Sequence, residues 1–294
     1  MIKYSIIIPT RNRKTVLFST LNKLKGLRDN ELEILVYDDN SNEDYSAELK
    51  TIFPSVKYYR SNLHLGLCEL RNRLINESIG DFIIGLDDDS YFESEEDYLR
   101  AKQILDDFPN AAIVGFKIIT KNGIQFINNI KDGIYNYNAF MGCGYIARKS
   151  CLSSVGGFDL GLIRQGDERD LVMKLMVKGF EVIYATEIKV FHEETTLERD
   201  HQFIHRHAFC NELLFYLKYF PVFIVPIFFI KSLISHAIFC ARRFWFKAYF
   251  QGIFLCIKNL KRTILKRKSV SYKILYRYMR LSVPIAKRRL KYES

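Results

Sequence analysis

Three consecutive carboxylates, Asp87-Asp88-Asp89, directly follow the apolar run Phe82-Ile83-Ile84-Gly85-Leu86. Adjacent carboxylates repel one another, so a loop that keeps three at a strand end points to a cation. Hard oxygen donors suit Mg2+ or Mn2+, and Mg2+ is commonly held by one or two carboxylates plus substrate phosphates. Asp87 and Asp89, two residues apart, each offer an oxygen to such a metal–diphosphate. The competing reading is a solvated acidic loop whose Asp or Ser caps the next helix.

A second acidic group is Gln165-Gly166-Asp167-Glu168-Arg169-Asp170, just before a helical stretch. The helix dipole favours acids there, so Asp167 and Asp170 read as caps. Glu168 is harder to explain that way. It suits a general base, given an acceptor hydroxyl within hydrogen-bond reach. Asp38 ends an apolar strand; its carboxylate either accepts from a base N–H or ribose hydroxyl, or closes an Asx-turn with Asn40-Ser41-Asn42. His192 closes Val190-Phe191-His192 and faces a metal only if that strand end reaches the Asp triplet.

These residues need elements to position them. Apolar runs alternate with amphipathic stretches: strands are expected at Tyr4–Ile8, stopped by Pro9, at Glu33–Tyr37, Val56–Arg60 and Asp81–Leu86. Helices are expected at Thr15–Leu27, Glu43–Phe53 and Leu67–Ser78. Further on, 97–108 reads as helix, 111–119 and Ala139–Ala147 as strands, Leu171–Lys178 as helix and Glu181–Ala185 as a short strand. Strands alternating with helices imply an α/β fold with right-handed crossovers and a mostly parallel sheet. Ligands of such sheets sit at the carboxyl ends of the strands. Pro9-Thr10-Arg11-Asn12-Arg13, Asp38–Ser41 and Asp87–Asp89 all fall there.

Charge divides the chain. Residues 1–202 carry 25 Lys/Arg and 31 Asp/Glu, whereas residues 203–294 carry 19 and 2. A slightly acidic body with a basic, aromatic-rich tail is not the pattern of a uniformly basic nucleic-acid binder. The six cysteines form no CxxC, which signals neither a structural zinc site nor a redox motif. The first apolar run is too short for a secretion signal, so a reducing cytosolic setting with free thiols is expected.

Taken together, the motifs resemble inverting family 2 glycosyltransferases of the GT-A fold, particularly bacterial rhamnosyltransferase-like enzymes of cell-surface polysaccharide synthesis. The carrying segments are SIIIPTRNR at 5–13, VYDDNSNED at 36–44 and NLHLGLCELRNRLINESIGDFIIGLDDDS at 62–90. GGFD at 156–159, GDERDLVMKLMVKGFEVIY at 166–184 and VFH at 190–192 complete the set. The resemblance spans about residues 1–215. It implies a nucleotide-sugar site, the nucleotide being UDP, dTDP or GDP, lined by Pro9, Thr10, Arg11 and Arg13. Asp38 would contact the base, with Gly66 and Arg71 near the ribose and diphosphate. Asp87-Asp88-Asp89 resembles the DxD element, with Asp88 towards the ribose, Asp89 the main metal ligand, and Asp87 and His192 beside a Mn2+ or Mg2+. The family's usual Gly-Glu-Asp reads Gly166-Asp167-Glu168 here, so the base falls at Glu168, with Asp167 the other candidate. Choice of sugar is expected to rest on side chains around residues 115–145.

The expected division is a catalytic domain over 1–205 and a helical membrane-associating region over 206–294. Tyr219–Ala241 is apolar but interrupted by Lys231, carries Pro221 and Pro226, and runs into Arg242-Arg243. That argues for a segment lying in the interface over one that spans. Phe246, Tyr249, Phe250, Ile253, Ile257, Leu260 and Ile264 recur at helical spacing, flanked by Lys247, Lys258, Lys261 and Arg262. Each Lys or Arg near anionic lipid contributes about 1 kcal/mol, and sixteen follow residue 241. The expected setting is the cytoplasmic face of a bacterial inner membrane, with a lipid-linked saccharide, polyprenyl diphosphate the carrier, as acceptor and no nucleic acid. A nucleotidyltransferase would share the sheet and acidic ligands, but its Gly-rich phosphate loop has no counterpart in residues 9–13. A non-enzymatic lipid- or nucleic-acid-binding protein would not need Asp89 or Glu168.

Overall fold

The computed structural model describes residues 2–27, 30–120, 123–124, 132–163, 165–193 and 200–281. Four parallel strands form one half of the sheet: β1 (Tyr4–Thr10), β2 (Leu32–Asp38), β3 (Val56–Arg60) and β4 (Phe82–Gly85), in the order β3-β2-β1-β4. Helices α1 (Lys14–Leu24), α2 (Ser46–Ile52) and α3 (Leu67–Glu77) make the crossovers. Past β4, the short strand β5 (Ser90–Tyr91), which pairs with the end of the last strand, helix α4 (Glu95–Asp107), β6 (Ala111–Thr120), β7 (Gly123–Ile124), β8 (Ile134–Tyr137) and β9 (Tyr145–Arg148) follow. Then come α5 (Lys149–Ser154), α6 (Asp167–Val177) and β10 (Glu181–His192). β9 runs antiparallel between β4 and β6, and β6 and β10 are parallel.

The central strands β1 and β4 are almost wholly apolar and buried because both faces are covered. Ile6 and Ile8 of β1 pack with Leu17, Leu21 and Leu24 of α1 and Leu49 of α2 on one face. Ile7 points the other way, among Leu70 and Leu74 of α3 and Leu171 and Leu175 of α6. Each such buried side chain contributes about 1.5–3 kcal/mol.

Three expectations need correction. Pro9 does not stop β1, which continues to Thr10 in register with Asp38. Pairing with β4 has already ended at Ile7–Gly85, and Pro9 faces that side, so its missing N–H breaks no ladder bond. β10 is one strand of 12 residues rather than a short strand and a separate apolar run. An irregularity between Ala185 and Lys189 lets Thr186, Glu187 and Ile188 leave the ladder without ending it. Finally, α6 starts at Asp167, four residues before the apolar stretch that signals it.

Among the described residues after 200, the elements are all helices: α7 (His201–Tyr219), α8 (Val225–Ala241), α9 (Phe246–Leu265) and α10 (Tyr272–Leu281). Asp200 caps α7 by accepting from the N–H groups of Gln202 and Phe203. The α7–α8 break falls at Pro221, which cannot continue a helix. α7 docks on the body through Phe215, Tyr219 and Phe220 around Met173 of α6. Its Phe209, Cys210 and Leu213 pack on Cys256, Tyr249 and Ile253 of α9. The expected single apolar stripe on α9 therefore divides. Tyr249 and Ile253 turn inward, while Phe246, Phe250, Phe254 and Ile257 are more than half exposed. No helix among the described residues is long and apolar enough to cross a membrane.

Candidate functional site

The carboxyl ends of β1, β2, β4 and β10 bring Thr10, Asp38, Asp87–Asp89 and His192 to one edge of the sheet. The three adjacent aspartates avoid mutual repulsion by pointing at different partners. Asp88 turns inward: it accepts from Thr10 Oγ1 at 2.7 Å and pairs with Arg13 Nη1 at 2.6 Å. Burial pushes its carboxyl up to about 7, against the lowering pull of Arg13. Asp89 pairs with Arg13 Nη2 at 2.5 Å and lies 2.9 Å from His192 Nε2. Burial alone would raise it, but His192 and Arg13 together hold it below the usual carboxylate range. Asp87, with its side chain one-third exposed, is the member that faces outward, 3.3 Å from Arg71 Nη2.

Arg71, on α3, is almost wholly buried and joins this triplet to the second acidic group. Its Nη1 is 2.8 Å from Asp167 and 3.9 Å from Glu168. Burial alone would favour the neutral guanidine, but Asp167 and Asp87 keep it firmly protonated. Asp167 is thus buried and neutralised, whereas the Glu168 side chain stays 25% exposed. Desolvation and the adjacent Asp167 charge raise the Glu168 carboxyl above its ordinary value. The turn that presents this pair is strained. Gln165 has φ +65° and Gly166 φ +85°, so only the second is a glycine where glycine is needed. Asn211 of α7 holds the strained turn by donating to the Gln165 carbonyl at 2.7 Å.

Asp38 is placed differently from the other site candidates. Its carboxylate has no exposure and accepts from Arg60 at 2.8 Å, Tyr58 at 3.0 Å, and the Ser41 N–H and hydroxyl. Those contacts close the turn after β2. The neighbouring Asp39 accepts from the N–H groups of Leu65 and Gly66, and so fixes Gly66 at the start of α3. Arg11 is exposed, 3.5 Å from His64.

The residues gathered around Asp87 fit a divalent cation. One oxygen of Asp87, Cys143 Sγ and one ring nitrogen of His192 lie within 4.8 Å of one another. The expectation named Asp87, Asp89 and His192. The structure brings Asp87 and His192 together with Cys143, and Asp89, also paired with Arg13, lies 2.9 Å from His192 Nε2. Cys143 carried no sequence signal beyond the two glycines that flank it. Asn211 and the pairing of Arg60 with Asp38 also escaped sequence reasoning, since Asn211 stands in no motif and Arg60 reads only as the end of a strand. Within the 115–145 segment, residues 121–122 and 125–131 lie outside the described residues.

A second charged cluster lies where the helices meet the body. Asp159 accepts from Lys218 at 2.7 Å, Arg262 at 2.9 Å and Lys266 at 3.2 Å. Lys218 also reaches Asp170 at 2.5 Å, and Tyr219 donates to the same carboxylate. Asp170 is one helical turn from Asp167, so α7 grips the element that carries Glu168, while α9 holds Asp159 in the loop before it. Asp170 therefore serves this seam, and Asp167 serves Arg71.

The parallel half-sheet with acidic groups at its strand ends is that of a GT-A transferase fold. The family description "Glycosyl transferase family 2" matches residues 5–149. An uncharacterized glycosyltransferase of Haemophilus influenzae is 28% identical over 184 residues, which is 58% of this chain and 61% of that protein. A GalNAc(5)-diNAcBac-PP-undecaprenol beta-1,3-glucosyltransferase of Campylobacter jejuni is 31% identical over 93 residues, 30% of each chain. Among solved structures, a mannosyltransferase from Pyrobaculum calidifontis in complex with GDP-Man and Mn2+ superposes with a TM-score of 0.60. It shares 15% identity over 88% of this chain and 87% of that one. The match places residues 5–149, about half of the chain, in glycosyl transferase family 2.

Proposed function

We propose that this protein is a metal-dependent inverting glycosyltransferase that moves a sugar from a nucleotide-sugar donor to a lipid-linked saccharide. The observation that carries the reading is Arg71, which ties Asp87 on one side to Asp167 and Glu168 on the other. The donor's nucleoside diphosphate lies on the first side, along Pro9, Thr10, Arg11, Arg13, Gly66 and the Asp triplet. Asp87 and His192, with Asp89 2.9 Å from His192 Nε2, would hold a Mn2+ or Mg2+ there. That cation, when bound, offsets charge on the leaving diphosphate. The mannosyltransferase and Campylobacter relatives support a nucleotide-sugar donor and a polyprenyl-diphosphate acceptor.

The Glu168 carboxylate takes the acceptor hydroxyl proton, and the freed oxygen forms its bond to the anomeric carbon. The bond from that carbon to the diphosphate oxygen breaks, and its electron pair leaves with the nucleoside diphosphate. Arg71 stabilises the charge that develops. One in-line displacement with a single base inverts the carbon. Asp167, locked on Arg71, is a positioning residue.

The helices after residue 200 support work at a membrane surface. Phe223, Ile227, Ile230, Ile234 and Ile238 form an exposed stripe along α8 at helical spacing. Phe246, Phe250, Phe254 and Ile257 do the same on α9, beside exposed Lys247, Lys258 and Lys261. An apolar face rimmed by cations suits the anionic cytoplasmic leaflet of a bacterial inner membrane. The last residues, 282–294, lie outside the described residues.

The test is a donor panel. Full-length protein is incubated with UDP-, dTDP- or GDP-sugars, Mn2+ or Mg2+, and a lipid-diphosphate saccharide, and products are weighed. A single hexosyl or deoxyhexosyl mass gain, abolished by chelation, is expected. Transfer that survives chelation removes the metal from the account. Absence of metal-dependent binding of every nucleotide sugar removes the activity.

A further inference from the structure

We propose that Cys143 is a ligand of the donor-site cation, so that the site holds its metal through carboxylate, imidazole and thiolate. The inference rests on the metal-dependent reading above and adds a ligand to it. Its ground is placement. Cys143 Sγ, Asp87 and His192 come from three separate parts of the chain: the β8–β9 loop, the turn after β4 and the end of β10. Their donor atoms nevertheless converge within 4.8 Å.

The loop that carries the thiol is pressed into place from both sides. A Cβ at Gly142 would lie 2.2 Å from the Arg71 guanidinium, and one at Gly144 would lie 2.4 Å from Ile118. Glycine on either side is therefore what lets the backbone run close enough to Arg71 and β6 for the intervening side chain to reach the strand-end cleft. Arg71 thus fixes three things at once: Asp87, the Asp167–Glu168 pair, and the backbone beside Cys143. A buried thiol with no metal is a weakly polar filler. One facing a carboxylate and an imidazole is the third member of a mixed donor set.

Such a set has a selectivity of its own. Two-carboxylate sites favour Mg2+, whereas a thiolate and an imidazole shift preference towards first-row transition ions, least for Mn2+ and more for Co2+ and Zn2+. Binding releases the thiol proton to solvent, because a coordinating thiol is deprotonated. The chain is therefore expected to prefer Mn2+ over Mg2+ and to hold Zn2+ tightly.

Co2+ titration of the metal-free full-length protein tests this without any activity readout. Visible d–d bands report that Co2+ is bound, and a near-ultraviolet sulfur-to-cobalt charge-transfer band reports a thiolate ligand. The wild type is expected to show both. Cys143→Ser is expected to keep the visible bands, lose the charge-transfer band and weaken Co2+ binding by at least about tenfold. Mg2+ binding, followed by competition, should change far less. Cys143→Ala repeats the comparison, with circular dichroism showing that each variant is folded. Visible bands without charge transfer in the wild type, or charge transfer that persists in Cys143→Ser, overturns the assignment while leaving the cation site standing. Absence of any Co2+ band removes the cation site itself, and the ligand with it.

Discussion

At the strand ends, Arg13 and Arg71 are largely buried and each meets at least two carboxylates, whereas on α8 and α9 lysines and phenylalanines stand together in solvent. The first region contains its own counter-charges. Burying an ion there is tolerable only because a partner of opposite sign lies within about 3 Å. On the outer face of the second region, exposed Lys247, Lys258 and Lys261 stand beside exposed Phe246, Phe250, Phe254 and Ile257. What the contrast teaches is where each region's partner comes from: the cleft supplies its own until a ligand arrives, while the helices need one from outside. The seam around Asp159 joins the two, because one carboxylate there answers cations from both α7 and α9.

The contrast is broken most severely at Arg71. Arg71→Leu leaves Asp87 and Asp167 without their cation and should cost about 3–5 kcal/mol of stability, read by urea denaturation, together with all transfer activity. A melt unchanged by this substitution would mean that the cleft does not depend on internal pairing. Next comes the acidic pair. Glu168→Gln should lower kcat by about 10²–10⁴ with no loss of stability, since its side chain faces the cleft. Asp167→Asn should instead destabilise, because it frees a buried guanidinium.

A smaller effect is expected at the seam. Lys218, the Gly161 N–H and Lys266 hold the Asp159 carboxyl far below its ordinary value, despite burial that opposes this. Its contribution is therefore present above the unfolded value of about 4 and is lost as pH falls through the lowered folded value. Asp159→Asn should cost about 1.5–3 kcal/mol near neutral pH and flatten that acid limb, measured by thermal melts from neutral to acidic pH. Smallest in stability is a change on the exposed stripe. Phe254→Ser and Ile257→Ser should move the melt by less than about 0.5 kcal/mol. They should nevertheless cut flotation with anionic vesicles several-fold, and about 0.5 M salt should weaken wild-type flotation too. Equal flotation with zwitterionic vesicles would remove the electrostatic half of that argument.

Much of this was legible in the sequence because it rests on local patterning. Doubly buried strands read as apolar runs, and polar clusters directly after them fall at the ligand edge of a parallel sheet. β3 matches its expected bounds, Val56–Arg60. What could not be read depended on tertiary partners. Nothing local says that Asp88 turns inward to Thr10 while Asp87 faces out, since three identical residues carry no directional signal. Asp38 is absorbed by Arg60, a residue 22 positions away whose role appears only when β2 and β3 pair. The irregularity that carries β10 through Thr186, Glu187 and Ile188 breaks the strand period that sequence reading relies on. The divided stripe of α9 shows the same limit: apolar spacing reports a helix, but not that α7 takes one edge of it. Cys143 is invisible for a related reason, because its two companions are distant in sequence and its own neighbours are glycines.

The measurement that bears most directly on the central claim is the pH dependence of single-turnover transfer in the wild type and in Glu168→Gln. Burial and Asp167 raise the Glu168 carboxyl, and a base must be ionised to act. The wild-type rate should therefore climb with pH along a limb above the usual carboxylate range, and Glu168→Gln should be slow and flat across it. A variant that keeps both the limb and the rate would contradict the assignment of Glu168, and with it the account of the cleft as a leaving-group site and a base joined through Arg71.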